Sequence, residues 1–349
     1  IRWLWPSAQA EGALCSCPVT AEALTGALHA MAQQGNTPFG VYVTSPDYLG
    51  GVQELPALAA VCRAQGVPLL VDNAHGAYLR FLPQNCHPIA QGAAMCCDSA
   101  HKTLPVVTGG AYLHLAHDAP VQDEAAVRGA LALFGSTSPS YLILQSLDAC
   151  NAVLAGDYPR RLVQCCAALE GLRRSLNKTA AARQCPVPLA VAGAQQEPMK
   201  LTLDAAALGC TGTALADALR RAQLECEYAD PRYVVLMFTP ENPPQDYTRL
   251  QTVLEQLLAA VPAGLLRPEN RAGEFAALQQ QAAQRCTIRQ AVLGAQVRIP
   301  VHKALGRVCA MPTVSCPPAI PVAVSGEEIT PAAIVLMQRY GIEELSVLR

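Results

Sequence analysis

Long apolar runs are missing from this 349-residue chain, and none reaches the roughly 18–20 residues that a membrane-spanning helix needs. Charge is scarce: 15% of residues are charged against 51% hydrophobic, which excludes a disordered chain and leaves one that builds a core. The charge present is balanced, 25 Lys and Arg against 27 Asp and Glu, with no long run of either sign. A nucleic-acid tract and a polybasic membrane anchor are therefore not expected. Mean hydropathy is +0.21, with Ala supplying much of the apolar count. No internal repeat, low-complexity tail or signal-peptide pattern is found. At about 150 residues per domain, the length suits two to three domains of an enzyme-sized protein.

Metal-site spacing is also missing. Of the 15 cysteines, Cys15 and Cys17, Cys96 and Cys97, and Cys165 and Cys166 lie close in sequence, but no C-x-x-C occurs, so no metal ligands are assigned. Most cysteines sit in apolar stretches such as Ala93 to Cys97, where a free thiol acts as a small hydrophobe. Buried, reduced thiols are expected rather than a disulfide framework, and with them a cytoplasmic location. The first residue is Ile, not Met, and Ile1-Arg-Trp-Leu-Trp5 reads as a strand already in progress, so the sequence is expected to come from a longer chain.

Residues 20–115 alternate between helix and strand periods. Ala21 to Gln33 reads as a helix, Phe39 to Thr44 as a strand, and Glu54 to Gln65 as a helix with Leu55, Leu58, Ala59 and Cys62 on one face. Gly66 ends that helix, and Val67 to Val71 is a continuous apolar run of the kind found in a buried parallel strand. Ala93 to Cys97 and Gly110 to Leu115 read as further strands, giving an α/β layer fold with a largely parallel sheet. Residues 121–176 are mainly helical, with Leu162, Cys166, Leu169 and Leu172 in one stripe. A Pro-, Ala- and Gly-rich stretch at 185–198 precedes a smaller α+β unit: strand Met199 to Leu203, helix Thr213 to Gln223, strand Tyr233 to Phe238, helix Tyr247 to Ala260. A third segment follows Pro262.

Two polar clusters follow apolar strands, where α/β folds place their sites. One is Asp72-Asn-Ala-His-Gly76; a buried carboxylate there requires a positive partner or hydrogen bonds. The other is Asp98-Ser-Ala-His-Lys-Thr103, followed by Thr108-Gly-Gly110. A lysine flanked by His and hydroxyls near glycines suits a Schiff-base site, with hydroxyls and amides to hold a phosphate. Taken singly, Asp72 also suits a helix N-cap, Lys102 a solvated loop, and His75 or His101 a partly buried imidazole. Together, an acid for a pyridine nitrogen and an amine for an aldehyde match the needs of pyridoxal 5'-phosphate.

At these residues the chain resembles the fold-type I pyridoxal-phosphate decarboxylases of the ornithine/lysine/arginine group. The matching blocks are Thr44-Ser-Pro-Asp-Tyr-Leu-Gly-Gly51, Pro68 to Ala77, Ser99 to Pro105, Gly135 to Tyr141, Tyr228 to Arg232, Cys316 to Pro321 and Ser325 to Glu328. They follow the family's order over nearly the whole chain. The resemblance implies an α/β, aminotransferase-like large domain, incomplete at its N-terminus, over residues 1–176. It also implies a small α+β domain over 177–262 and the family's C-terminal domain over 263–349.

The resemblance further implies that Lys102 forms the Schiff base, that Asp72 pairs with the pyridinium, and that His75 lies beside the cofactor. Ser99 and His101 would contact its phosphate or steady the lysine, and Ser136, Thr137 and Ser138 would approach the cofactor of a neighbouring subunit, making a homodimer the smallest complete unit. The implied reaction is decarboxylation of arginine, lysine or ornithine to an amine and CO₂, as in polyamine biosynthesis, with Glu327, Glu328 and Asp230 as candidates for a basic substrate's tail. Another fold-type I activity, such as transamination or aldol cleavage, and an impaired remnant are the alternatives. The sequence departs from the family pattern at Asn73, where a second acid is usual, at Gly109, commonly Gln, and at Cys316-Pro-Pro-Ala319, usually Tyr-Pro-Pro-Gly. No Gly-rich phosphate loop occurs between Ile1 and Thr44.

Overall fold

A hydroxyl starts the first helix. Thr20 Oγ1 accepts from the Ala23 N–H at 3.2 Å, and α1 (Ala21–Gln33) then buries Leu24 and Leu28. The computed structural model describes residues 2–5, 14–16, 18–136, 138–262, 282–315 and 320–349; Cys17, Thr137 and the Cys316–Ala319 block lie outside the described residues. Arg2 to Trp5, read above as a strand, are irregular, with Leu4 packed on the core beside the first strand.

Strand β1 (Val41–Thr44) alternates buried and exposed residues, as a half-covered strand should. Helix α2 (Leu55–Ala64) buries Leu55, Leu58, Ala59 and Cys62, the stripe set by their i, i+3, i+4, i+7 spacing. Its chain leaves through Gly66 at φ +66°, a left-handed position that suits glycine, into β2 (Leu69–Asp72). The next strand is β3 (Met95–Asp98), followed by the short helix α3 (Ala100–Thr103) and β4 (Tyr112–Leu115). The sheet order is β1-β2-β3-β4; the first three strands are parallel and β4 returns antiparallel. One sheet face packs on α1 and α2 through Val41, Val43, Leu69, Val71 and Cys96. The other leaves Tyr42, Cys97, Leu113 and Leu115 exposed.

Three helices follow, α4 (Glu124–Phe134), α5 (Tyr141–Ala155) and α6 (Tyr158–Ala182). In α6 the buried stripe is Leu162, Cys165, Leu169, Leu172 and Leu176; Cys165 takes the inward place expected of Cys166, which is half-buried. The helix runs unbroken through residue 176. Its stripe joins one core with β5 (Lys200–Asp204), α7 (Gly212–Arg221), β7 (Tyr233–Met237) and α8 (Pro244–Ala259), which also takes in Ala100 and Leu104 beside α3. With β6 (Tyr228–Ala229) the second sheet has the antiparallel order β5-β7-β6. The lysine-bearing helix is thus wedged against the α+β unit by shared apolar burial, the dominant stabilising force.

The remaining elements are α9 (Ile288–Leu293), β8 (Gln296–Pro300), β9 (Thr313–Ser315), β10 (Ile320–Ala323), α10 (Pro331–Arg339) and β11 (Glu344–Leu348), and a third core gathers residues of β8, β10, α10 and β11. Strands β8 and β11 pair antiparallel, and Val301, Ile329, Met337 and Val347 fill the interior. No disulfide forms among the described residues. No helix among them is long and apolar enough to cross a membrane.

Candidate active site

Two neighbouring parallel strands end side by side. Asp72, the last residue of β2, is the cross-strand partner of Cys97 in β3, and the Asn73 N–H donates to the Cys97 carbonyl at 2.9 Å. One residue beyond β3, Ser99 opens α3, which carries His101 and Lys102. The acid and the amine therefore leave adjacent carboxyl ends of one sheet, where α/β folds hold their ligands. The amine meets the first cluster directly: Lys102 Nζ lies 3.3 Å from His75 Nε2.

His75 is buried, with its ring edge-on to Tyr48 at 4.9 Å between centroids. Burial, then the charges of Lys200, Lys102 and His101, lower its pKa from the ordinary 6.5 to about 2. It is a neutral imidazole whose Nε2 accepts from the lysine, so Nδ1 carries the proton. That Nδ1 is buried and has no hydrogen-bond partner. Gly76 holds the turn tight: a Cβ there would come within 2.8 Å of Pro46 Cδ and of Leu79 Cδ1, and closer still to Asn73 Oδ1.

Asp72 does not cap a helix. Its Oδ1 accepts from the Ala74 N–H at 3.0 Å, and its Oδ2 from the Tyr42 hydroxyl at 3.1 Å on the open sheet face. The carboxylate and Lys102 make no direct contact. His101 is fixed by β4: its backbone N–H and its Nδ1–H both donate to the Gly110 carbonyl, at 3.2 and 3.0 Å. Ser99 makes no side-chain hydrogen bond to the helix it opens.

Asp98 is buried below this floor. Its Oδ2 faces His87 Nε2 at 3.0 Å and His114 Nε2 at 3.1 Å, and its Oδ1 accepts from Asn73 Nδ2 at 2.7 Å. Burial pushes the carboxyl pKa up, but hydrogen bonds from His114, His87 and Asn73 outweigh it and hold Asp98 well below the usual carboxylate range. The Asn at position 73, a departure from the family pattern, is thus a donor to this carboxylate.

Ser136 and Ser138 lie on the exposed link between α4 and α5, where Ser136 Oγ accepts from the Ser138 N–H at 3.1 Å. Asp230 is buried, but it accepts from Tyr228 OH and from the backbone of Arg232 and Tyr233, closing its own turn. Glu327 accepts from the Val324 N–H, and Glu328 pairs with Arg285 at the surface. Sequence reasoning passed over Tyr48 and Lys200. Lys200 is buried, its Nζ donating to the carbonyls of Asp47 (2.8 Å) and Tyr48 (3.3 Å). A lysine set between the apolar Met199 and Leu201 of a strand was the available signal.

The fold is that of the fold-type I, aminotransferase-like proteins. A lysine decarboxylase from Francisella novicida superposes with a TM-score of 0.75 at 18% identity, covering 100% of this chain and 63% of that one. The sequence model described as Orn/Lys/Arg decarboxylase, major domain, matches residues 3–195, more than half of the chain. The chain belongs to that family. Among curated relatives, an arginine decarboxylase of Bacillus subtilis is 28% identical over 302 residues, covering 83% of this chain and 59% of the relative. The uncharacterised protein YaaO of the same organism is 32% identical over 204 residues, covering 57% and 41%. The chain thus spans roughly half the length of the curated relatives it matches.

Proposed function

We propose that the protein to which this chain belongs decarboxylates a basic amino acid, arginine, lysine or ornithine, with pyridoxal phosphate. The observation that carries the reading is the 3.3 Å approach of Lys102 Nζ to buried His75 beside the strand end that bears Asp72. The residues fit the coenzyme: an amine for its aldehyde, a carboxylate for its ring nitrogen, and an unpartnered buried Nδ1 on His75. When bound, the coenzyme supplies an electron-poor ring that takes up the electron pair left as CO₂ departs.

The chain's own residues do the rest. Lys102 would hold the coenzyme through its aldehyde carbon. Asp72, kept in place by Ala74 N–H and Tyr42, stabilises a proton on the ring nitrogen by its negative charge. His75 stays neutral across the working pH range, so its Nε2 orients Lys102 Nζ without competing for its proton. The Ser99 hydroxyl and the His101 ring would contact the phosphate or steady the lysine.

The functional unit is a homodimer, with the Ser136 to Ser138 link reaching the partner's site. Its support is α4, which buries no residue, together with Leu133, Phe134 and Tyr141, which are 78%, 92% and 86% exposed. A cytoplasmic role in forming polyamine-type products is consistent with thiols that form no disulfide among the described residues.

The test uses the chain with all that its reading frame encodes. Borohydride reduction in the presence of pyridoxal phosphate should fix the coenzyme on Lys102 in a peptide map. The protein should then release CO₂ from one of the three amino acids, with Lys102→Ala silent. Keto-acid formation instead of CO₂, or an adduct on another lysine, refutes the assignment.

A further inference from the structure

Cysteine spacing along the chain points to no metal, but strand register assembles a donor set that spacing hides. Cys96 in β3 is the direct cross-strand partner of His114 in β4, so both side chains stand on one face. Asp98, two residues on, shares that face, and His87 reaches it from the loop before β3. The nitrogen and oxygen donors of His87, Asp98 and His114 all lie within 4.8 Å of one another. Cys96 Sγ lies 3.7 Å from His87 Nε2.

These separations suit a tetrahedral ion. With nitrogen and oxygen ligands at about 2.1 Å and sulfur at about 2.3 Å, neighbouring donors stand about 3.4 Å apart, and a nitrogen–sulfur pair about 3.6 Å. The observed edges from Asp98 Oδ2 are 3.0 and 3.1 Å, and the sulfur edge is 3.7 Å. Cys96 Sγ, which stands outside the His87, Asp98 and His114 cluster and 3.9 Å from Asp98 Oδ1, has to move in, and the imidazole–imidazole edge has to contract. His114 has room for that, since its side chain is 38% exposed, while Asp98 is 3% exposed. The outer shell is in place as well: Asn73 Nδ2 fixes the second Asp98 oxygen at 2.7 Å, as carboxylate ligands of metals are usually fixed.

We propose that His87, Asp98, His114 and Cys96 form a structural site for a divalent zinc-type ion. Two imidazoles, one carboxylate and one thiolate suit a borderline-soft cation better than magnesium or calcium. Binding replaces the two N–H···O bonds to Asp98. Each imidazole coordinates through Nε2 and carries its proton on Nδ1, which for His87 displaces a long 3.4 Å contact from the Ile89 N–H. The Cys96 thiol releases its proton to water. The ion ties β3, β4 and the His87 loop together one residue ahead of Ser99, and so secures the strand end that delivers Lys102. It is independent of the decarboxylase reading, because its test needs neither coenzyme nor substrate.

The chain is stripped with a chelator, dialysed against zinc alone and analysed for metal. One equivalent per chain is expected, with His114→Ala weakening binding at least 100-fold, about the upper end of what outer-shell changes alone cost. Asp98→Asn should do the same, and should that variant fail to fold, the half-exposed His114→Ala, checked by circular dichroism, decides. Cobalt titration should give a thiolate-to-metal charge-transfer band that Cys96→Ser removes and Cys62→Ser keeps. Substoichiometric zinc, binding unchanged in His114→Ala, or a band that survives Cys96→Ser overturns the site.

Discussion

Replacing His75 by Gln should flatten the acid limb of the protein's stability curve. In the unfolded chain this imidazole titrates near its ordinary 6.5, while in the fold it stays neutral down to about 2. Below pH 6.5 the unfolded state therefore binds a proton that the native state refuses, so stability falls as the pH drops through that window. At pH 5.0 the unfolded state is favoured by about 1.5 pH units of protonation, or about 2 kcal/mol at 1.36 kcal/mol per unit; at pH 7.5 the contribution is close to zero. Asp98 adds no slope here, since its depressed pKa keeps its stabilisation fully present above the ordinary carboxylate value of 3.8. Urea unfolding of wild type and His75→Gln at pH 7.5 and 5.0 gives four free energies. The wild type should lose about 2 kcal/mol more than the variant between the two pH values. Equal losses would mean that the ring is protonated in the fold, and the neutral acceptor beside Lys102 would be the wrong description.

Three further outcomes follow from the same contacts. Asn73→Ala removes a buried donor to an ionised carboxylate and should cost about 1.5–3 kcal/mol in the urea midpoint analysis. Gly76→Ala places a methyl against Pro46 and Asn73 and should cost about 1–3 kcal/mol, with the His75 ring resonances displaced in NMR spectra. Leu254→Ala, at a fully buried position of α8, should lower stability by about 2–5 kcal/mol without changing coenzyme capture by Lys102.

The parts of the site that depend on local pattern were legible in the sequence. An apolar run followed by a polar cluster marked the ends of β2 and β3, so Asp72, His75 and Lys102 could be named as candidates before any coordinates. The helix stripe Leu55, Leu58, Ala59, Cys62 was equally direct, because burial follows the helical period. Contacts set by register or by distant closure were not legible. Nothing in the spacing says that Cys96 faces His114, because that needs the antiparallel return of β4. Likewise, Lys200 Nζ reaches the Asp47 carbonyl across 153 positions in sequence. The choice of Cys165 over Cys166 was also hidden: adjacent thiols are equivalent in composition and differ only by about 100° of helical rotation.

The return of β4 past its own α3 has a practical result. Because His101 is clipped to the Gly110 carbonyl by two bonds, the loop that follows Lys102 is closed at its base. The stretch from Pro105 to Gly109 is tied down as well, with Val106 packed on the core and the Val107 N–H donating to Ser146 Oγ at 3.2 Å. A reporter peptide inserted there would pull on the lysine's footing, so the loop is a poor graft site.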